Sequence, residues 1–253
     1  MKISIITATY NSEATIKDTL LSVCEQTYSN IEHIVVDGGS TDDTIEIVKS
    51  FASVSSWISE PDKGIYDALN KGVQMATGDV IGFVHSDDTL ATSTIIEKIV
   101  DVFSNEDNIE KVSGVFGNLV FTNNENEVVR TWISKPFTRN NIKKGWMPPH
   151  PTLFLRKEIY QKYGLFDISF KIAGDYDFML RVMNDKDARL VLLPEVITRM
   201  RVGGVSTGNL KQLLNKSKED IRALRNNGSN FPLSVLFWKI ALKVPQLFNS
   251  KKH

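Results

Sequence analysis

The chain has 253 residues, enough for one large α/β domain or two small ones with a substantial core. Hydrophobic residues make up 42% and charged residues 24%, as in ordinary soluble globular proteins, and thirty basic residues balance thirty acidic ones. No global field therefore favours nucleic acid or a membrane surface, and any function based on charge has to be local.

The opening "MKISIITATYN" contains an apolar run too short for the hydrophobic region of a signal peptide, with no cleavage site. Its core "ISIITA" reads as a strand covered on both faces. Asn11 or Ser12 is placed to cap the following helix, whose inner face is Ile16, Leu20, Val23 and Cys24. Cys24 is the single cysteine; it excludes an internal disulfide, fits a reducing compartment and is expected as buried filler. "IEHIVVD" is a second buried strand, followed by a helix carrying Ile45, Val48 and Phe51. "SSWIS" is a candidate third strand, the Tyr66 to Ala76 segment a helix, "DVIGFVH" a fourth strand and "IIEKIVDVF" a further helix. Repeated βα units imply a parallel sheet with right-handed crossovers, in which ligands bind beyond the carboxyl ends of the strands.

Each strand then delivers its polar end to one rim. The first supplies Thr7, Thr9, Tyr10 and Asn11, the second "DGGSTDD", the third "SEPDKG" and the fourth "HSDD". Asp37 ends a buried strand, where a carboxylate is costly unless something binds it. Asp87 and Asp88 are adjacent; their repulsion becomes useful when a divalent cation sits between them and a phosphate. Neither a G-x-G-x-x-G fingerprint nor a G-x-x-x-x-G-K-[ST] phosphate loop is present.

After Gly114, "GVFGNLVF", "TNNENE" and "VVRTWI" read as a β-hairpin. A loop "GWMPPHPT", a short strand "LFLR", a helix to Tyr163 and "IAGDYDFMLRVMND" follow. One mixed α/β domain over 1–208 with a helical extension over 209–253 is the simplest organisation. The extension carries "FPLSVLFWKIALKVPQLF" among lysines that include Lys211, Lys239, Lys243, Lys251 and Lys252. Such a helix can lie in a membrane interface, pack on the domain or meet a second subunit as a homodimer; membrane contact is favoured here. No segment reaches the roughly 20 apolar residues of a membrane span.

The series "SIITATYN", "VVDGGSTDDT", "SEPDKGIYDALNKG", "GFVHSDD", "HPTLFLRKEIYQKYGLFD" and "GDYDFMLR" resembles glycosyltransferase family 2, inverting sugar-nucleotide transferases of GT-A fold. The likeness runs from Lys2 to about Ser206 and is nearest to bacterial enzymes of surface polysaccharide (O-antigen or capsule) assembly. It implies a single Rossmann-like α/β domain with a mixed central sheet, a UDP-sugar donor, Mn²⁺ or Mg²⁺, and a saccharide or lipid-diphosphate-linked acceptor on the inner face of the cytoplasmic membrane. Thr7, Tyr10 and Asn11 would line the nucleotide pocket, Asp37 would bind base or ribose, and Asp62 and Lys63 would lie near base and diphosphate. Asp87 would hold the metal on the diphosphate with Asp88 beside it, although the family's preceding acid is His85 here. The catalytic base would be Asp175, with Gly174 where many relatives have Glu, and Asp177 is a weaker candidate. His150 is either a turn residue or a contact to acceptor and donor sugar; Trp146 is a sugar platform or a core anchor. "RVGGVS" stands where many relatives carry a late histidine. His85 and Gly174 leave room for a rival class, a non-catalytic sugar-nucleotide-binding partner subunit. A nucleotidyltransferase is disfavoured because its basic, glycine-rich loop is missing.

Overall fold

The computed structural model describes residues 1–105, 111–202 and 210–241. Strands β1 (Ile3–Thr9), β2 (Ile31–Asp37), β3 (Val54–Ser59) and β4 (Val80–Phe83) alternate with helices α1 (Ile16–Cys24), α2 (Thr44–Lys49) and α3 (Ile65–Met75). They form the parallel half of one sheet in the order β3-β2-β1-β4. β1 has a helical layer on each face: Ile6 and Ala8 enter one apolar cluster, Ile3 and Ile5 another. A strand buried on both sides is apolar without interruption, which is why "ISIITA" is legible as one.

The second half comprises β5 (Asp88–Leu90), α4 (Ile95–Ser104), β6 (Gly114–Thr122), β7 (Val128–Trp132), α5 (Arg139–Ile142), β8 (Phe154–Arg156), α6 (Lys157–Tyr163), α7 (Gly174–Asn184) and β9 (Leu190–Arg201). The sheet continues past β4 as β8-β6-β9-β5, with β7 paired to β6. β8 runs antiparallel to β4 and β6, and β9 parallel to β6, so the sheet is mixed. β9 contains Pro194, which cannot donate to a ladder; pairing with β6 jumps from Phe116↔Leu192 to Asn118↔Val196, leaving the proline in the irregularity.

Helices α8 (Leu210–Asn226) and α9 (Pro232–Ala241) complete the chain as described. Ala223, Leu224 and Val235 belong to the main core cluster, so the inner faces of both helices are part of the domain. Phe231, Leu233, Phe237, Trp238 and Ile240 remain exposed on α9. Among the described residues no helix is long and apolar enough to cross a membrane. The expected boundary at 208/209, most of "RVGGVS", and Lys243, Lys251 and Lys252 lie outside the described residues.

Two expectations for α1 need correction. Cys24 is exposed, because one residue beyond Val23 the helix has turned its face away from the sheet. Neither Asn11 nor Ser12 caps with its side chain: the backbone carbonyl of Ser12 accepts the N–H groups of Thr15 and Ile16, while Asn11 turns at φ 46° and aims at the neighbouring loop.

Candidate active site

The β1–β2–β3 register sets Thr9 beside Asp37 and Asp37 beside Ser59 at the carboxyl rim. Asp37 is completely buried, and its carboxylate accepts the N–H groups of Gly39 and Ser40 at 3.1 and 2.9 Å, Ser59 Oγ at 2.6 Å, and Ser40 Oγ. The group that binds this buried acid is therefore the protein's own turn. Asn11 accepts the Thr41 N–H through Oδ1 and donates its own backbone N–H to Ser40 Oγ, which ties the β1 loop to the β2 loop. Tyr10 projects above them, 60% exposed. Thr7 is buried inside the sheet with Oγ1 3.0 Å from His33 Nε2, so its side chain does not line the rim; Thr9, two residues on, is the nearer threonine, with a buried hydroxyl that has no partner.

The turn before α3 has a local logic. Asp62 Oδ1 accepts the Gly64 N–H at 2.8 Å, and Asp67 Oδ2 accepts the Lys63 N–H at 3.0 Å. Gly64 has φ 117°, a conformation that a side chain would strain, and its position lets the acid and base stand clear of the helix. Asp62 Oδ2 lies 2.6 Å from where a Cβ on Gly38 would be, so that glycine is what admits the turn over the β2 loop.

Beyond β4 the electrostatics change. Asp88 is 1% exposed and neither of its carboxylate oxygens has a hydrogen-bond partner. Burial and the charge of Asp87 push its carboxyl well above the usual range against the pull of Arg201. Burial also raises Asp87. Arg201 itself pairs with Asp18 at 3.0 Å. An orphaned, buried carboxylate beside a second acid fits a cation held by one or two protein carboxylates with substrate oxygens completing the shell. Among the described residues no cluster of three or more His, Cys, Asp or Glu is available as a closed cage. His85 precedes this pair; its backbone carbonyl accepts the Asp88 N–H and Thr19 Oγ1. Burial, with His150 nearby, holds its imidazole down at about 4, and the two rings are 6.1 Å apart.

His150 sits in a single turn between Pro149 and Pro151 and places Nδ1 3.0 Å from Asp175 Oδ2. Asp175 is in the first turn of α7, where backbone N–H groups favour a negative charge. Tyr66 Oη donates to the Ile172 carbonyl at 2.7 Å and lies 3.2 Å from Asp175 Oδ1. Burial pushes the Asp175 carboxyl up. The charge and hydrogen bond of His150, then Lys239 and the Tyr176 N–H, outweigh burial and hold it well below the usual carboxylate range. The Tyr66 ring explains Gly174: a Cβ there would be 2.8 Å from it, so a glutamate has no room. Asp177 turns elsewhere, to Arg181 and Asn227. Trp146 packs between Phe116 and Phe137 as a core anchor.

Glu219 of α8 organises the loop before Asp175 by accepting the N–H groups of Lys171, Ile172 and Ala173. Lys239 of α9 pairs with Asp220 at 2.8 Å and lies 3.2 Å from the Tyr176 ring centroid. The sequence carries no signal for these long-range supports. Asp175 and His150 open onto a cavity of about 510 Å³ bounded by β6, β7, β9 and the helices α7, α8 and α9.

The site thus combines a mixed sheet with acidic strand ends along one rim, a buried Asp88 without hydrogen-bond partners and a carboxylate, Asp175, facing a cavity. The profile of "Glycosyl transferase family 2" matches residues 4–164, and the chain belongs to that family. An uncharacterised glycosyltransferase of Mycobacterium tuberculosis is 35% identical over 184 residues, covering 71% of this chain and 68% of the relative. A "PGL/p-HBAD biosynthesis glycosyltransferase" of Mycobacterium bovis is 27% identical, covering 78% of this chain and 72% of the relative. Among solved structures, S. aureus TarS in complex with UDP-GlcNAc superposes with TM-score 0.66 at 21% identity, over 99% of this chain and 79% of TarS. The mannosyltransferase PcManGT from Pyrobaculum calidifontis, in complex with GDP-Man and Mn²⁺, gives TM-score 0.66 at 18% identity, over 98% of this chain and 72% of its own.

Proposed function

We propose that this glycosyltransferase moves a hexose or N-acetylhexosamine with inversion from a UDP-sugar to a saccharide acceptor, a lipid-diphosphate-linked precursor of a bacterial surface polysaccharide. The observation that carries the proposal is a carboxylate held ionised at a cavity mouth, Asp175, paired with His150, whose ring lies 6.1 Å from that of His85, and beyond it the acids Asp87 and Asp88, the second buried without a hydrogen-bond partner. Asp175 takes the proton of the acceptor hydroxyl as the oxygen attacks the anomeric carbon opposite the leaving diphosphate. His150 orients that carboxylate through Oδ2, while Tyr66 fixes the other oxygen. Asp87 and Asp88 would hold Mn²⁺ or Mg²⁺, which when bound neutralises charge on the diphosphate. Tyr10, Asn11, Asp62 and Lys63 flank the donor, with Asp37 shaping their loop. UDP-GlcNAc in TarS and GDP-Man with Mn²⁺ in PcManGT support a nucleotide-sugar donor and a divalent ion. The exposed apolar face of α9 supports peripheral attachment to the cytoplasmic face of the membrane.

The rival, a binding subunit without turnover, loses the ground offered by Gly174, since the Tyr66 ring accounts for it. The deciding experiment measures nucleotide release from a panel of UDP-sugars, and GDP-mannose, with Mn²⁺ or Mg²⁺ and lipid-diphosphate-sugar acceptors. Turnover with one donor, abolished in Asp87→Ala and in Asp175→Asn while Asp175→Asn still binds nucleotide, supports the assignment. Unchanged turnover in Asp175→Asn overturns it.

A further inference from the structure

Among the described residues Lys239 is the one buried lysine or arginine, at 6% exposure, and it lies in the wall of the cavity that Asp175 faces. Taking an ammonium out of water is costly, and its partner Asp220, 2.8 Å away, is buried as well. A buried ion pair adds little to stability over a well-packed apolar pair of similar volume. Fold stability therefore does not account for a cation at this position.

Geometry connects that cation to the base. Lys239 Nζ stands 3.2 Å from the centroid of the Tyr176 ring, and Tyr176 follows Asp175 in the first turn of α7. The Tyr176 hydroxyl is buried without a hydrogen-bond partner, so it gives the ring no polar anchor; the ammonium on the ring face supplies one. The backbone N–H of Tyr176 is in turn one of the groups that hold Asp175 ionised, and the charge of Lys239 is another in spite of Asp220 beside it. The attraction is mutual: burial lowers the Lys239 ammonium, and Asp220 and then Asp175 oppose that.

The same helix backs the histidine. Gly145, in the loop leading to His150, has φ 67°, and a Cβ there would lie 2.7 Å from Lys239 Cβ and 2.8 Å from the Val235 carbonyl oxygen. That loop thus rests on the backbone of α9 at the turn that carries Lys239. Both members of the Asp175–His150 pair are braced by one element.

We infer that Lys239 is a positioning residue of the transfer reaction: from α9 it fixes Tyr176 and the first turn of α7, so that Asp175 meets the acceptor hydroxyl in one orientation. The inference rests on Asp175 being the group that takes the acceptor's proton, and it deepens that assignment by naming the residue that acts through it.

The test compares the full-length wild type with Lys239→Met/Asp220→Leu, which removes both charges together and leaves neither buried and unpaired. Steady-state nucleotide release, UDP binding by calorimetry with Mn²⁺ present, and Tm are measured on the same samples. The expected result is a folded protein that binds UDP within about twofold of wild type, with kcat lower by about tenfold or more, as for a misaligned catalytic group. A kcat within twofold of wild type, or a loss of turnover that only follows a loss of UDP binding, overturns the inference. The exchanged variant Lys239→Asp/Asp220→Lys keeps opposite charges on α8 and α9 but takes the cation off the Tyr176 ring. Its kcat is expected to stay low; recovery to within twofold of wild type would show a pair that only joins the helices, which also overturns the inference. Asp175→Asn in the same assay separates the two levels. Turnover lost in Asp175→Asn but normal in Lys239→Met/Asp220→Leu removes only the role of Lys239, whereas unchanged turnover in Asp175→Asn removes the base assignment and the inference with it.

Discussion

Asp37 ends β2 and Asp88 opens β5, and the two are equally hidden, at 0% and 1% exposure, yet their surroundings are opposite. Asp37 is met by two backbone N–H groups and two hydroxyls, whereas neither oxygen of Asp88 has a hydrogen-bond partner, and burial with the charge of Asp87 outweighs the pull of Arg201. Burial alone therefore says little about a carboxylate's role. A saturated acid fixes a loop; a bare one stores unfavourable energy that a cation can relieve. Asp175 lies between these extremes, engaged by His150 and Tyr66 but still open to the cavity.

Five experiments sharpen or break that contrast. The largest effect is expected for Asp175→Asn, which should lower kcat by about 10³-fold or more with nucleotide binding intact, as for loss of a general base; steady-state nucleotide release checks it, and a tenfold loss or less contradicts the role. Asp88→Asn should reduce metal-dependent turnover by about 10²-fold, comparable to losing an important electrostatic group, while raising the Tm of the metal-free protein because a repelling buried charge is gone. A lower metal-free Tm would show that the carboxylate is not repelled as the surroundings imply.

The third experiment uses a buried base. Burial holds His33 at about 4, below its ordinary 6.5, and only Nε2 has a partner, Thr7. Its neutral form therefore stabilises the fold fully above pH 6.5, and that contribution is lost as pH falls through 4; the shift corresponds to about 3 kcal/mol. Urea titrations across this window should show the loss, and His33→Gln should flatten the slope; an equal slope in both proteins refutes the assignment to His33. Asp37→Asn, which turns an acceptor-only group into one with donors facing donors, should cost about 1.5–3 kcal/mol by urea denaturation. If instead it is neutral while Asp88→Asn is strongly destabilising, the contrast is inverted. The smallest effect is expected for Gly174→Ala, about 1–3 kcal/mol of overpacking against Tyr66; recovery of Tm in the double variant with Tyr66→Leu would tie the cost to that ring.

Much of the fold was readable locally. The apolar runs of β1, β2 and β4 and the helical periodicity of α1, α3 and α4 each lie within a dozen residues. β9 was not, because Pro194 interrupts it and its partner strand β6 is some 75 residues earlier in sequence, at Gly114↔Leu190. β5 is three residues long and forms only where β9 passes. The acidic character of the rim was legible, since each acid follows a strand. Which acid is satisfied was not: Ser59, which completes the shell of Asp37, belongs to the next strand.

The sequence by itself determined the βα alternation, the rim on which the polar strand ends gather and the likeness to family 2, because periodicity and short motifs record local geometry. Tertiary structure alone decided that Thr7 is buried, that Cys24 faces outward, that His150 meets Asp175 and that Glu219 braces the loop before it. Those facts depend on side chains brought together from distant parts of the chain, where burial and hydrogen-bond supply are set by neighbours that no local pattern names.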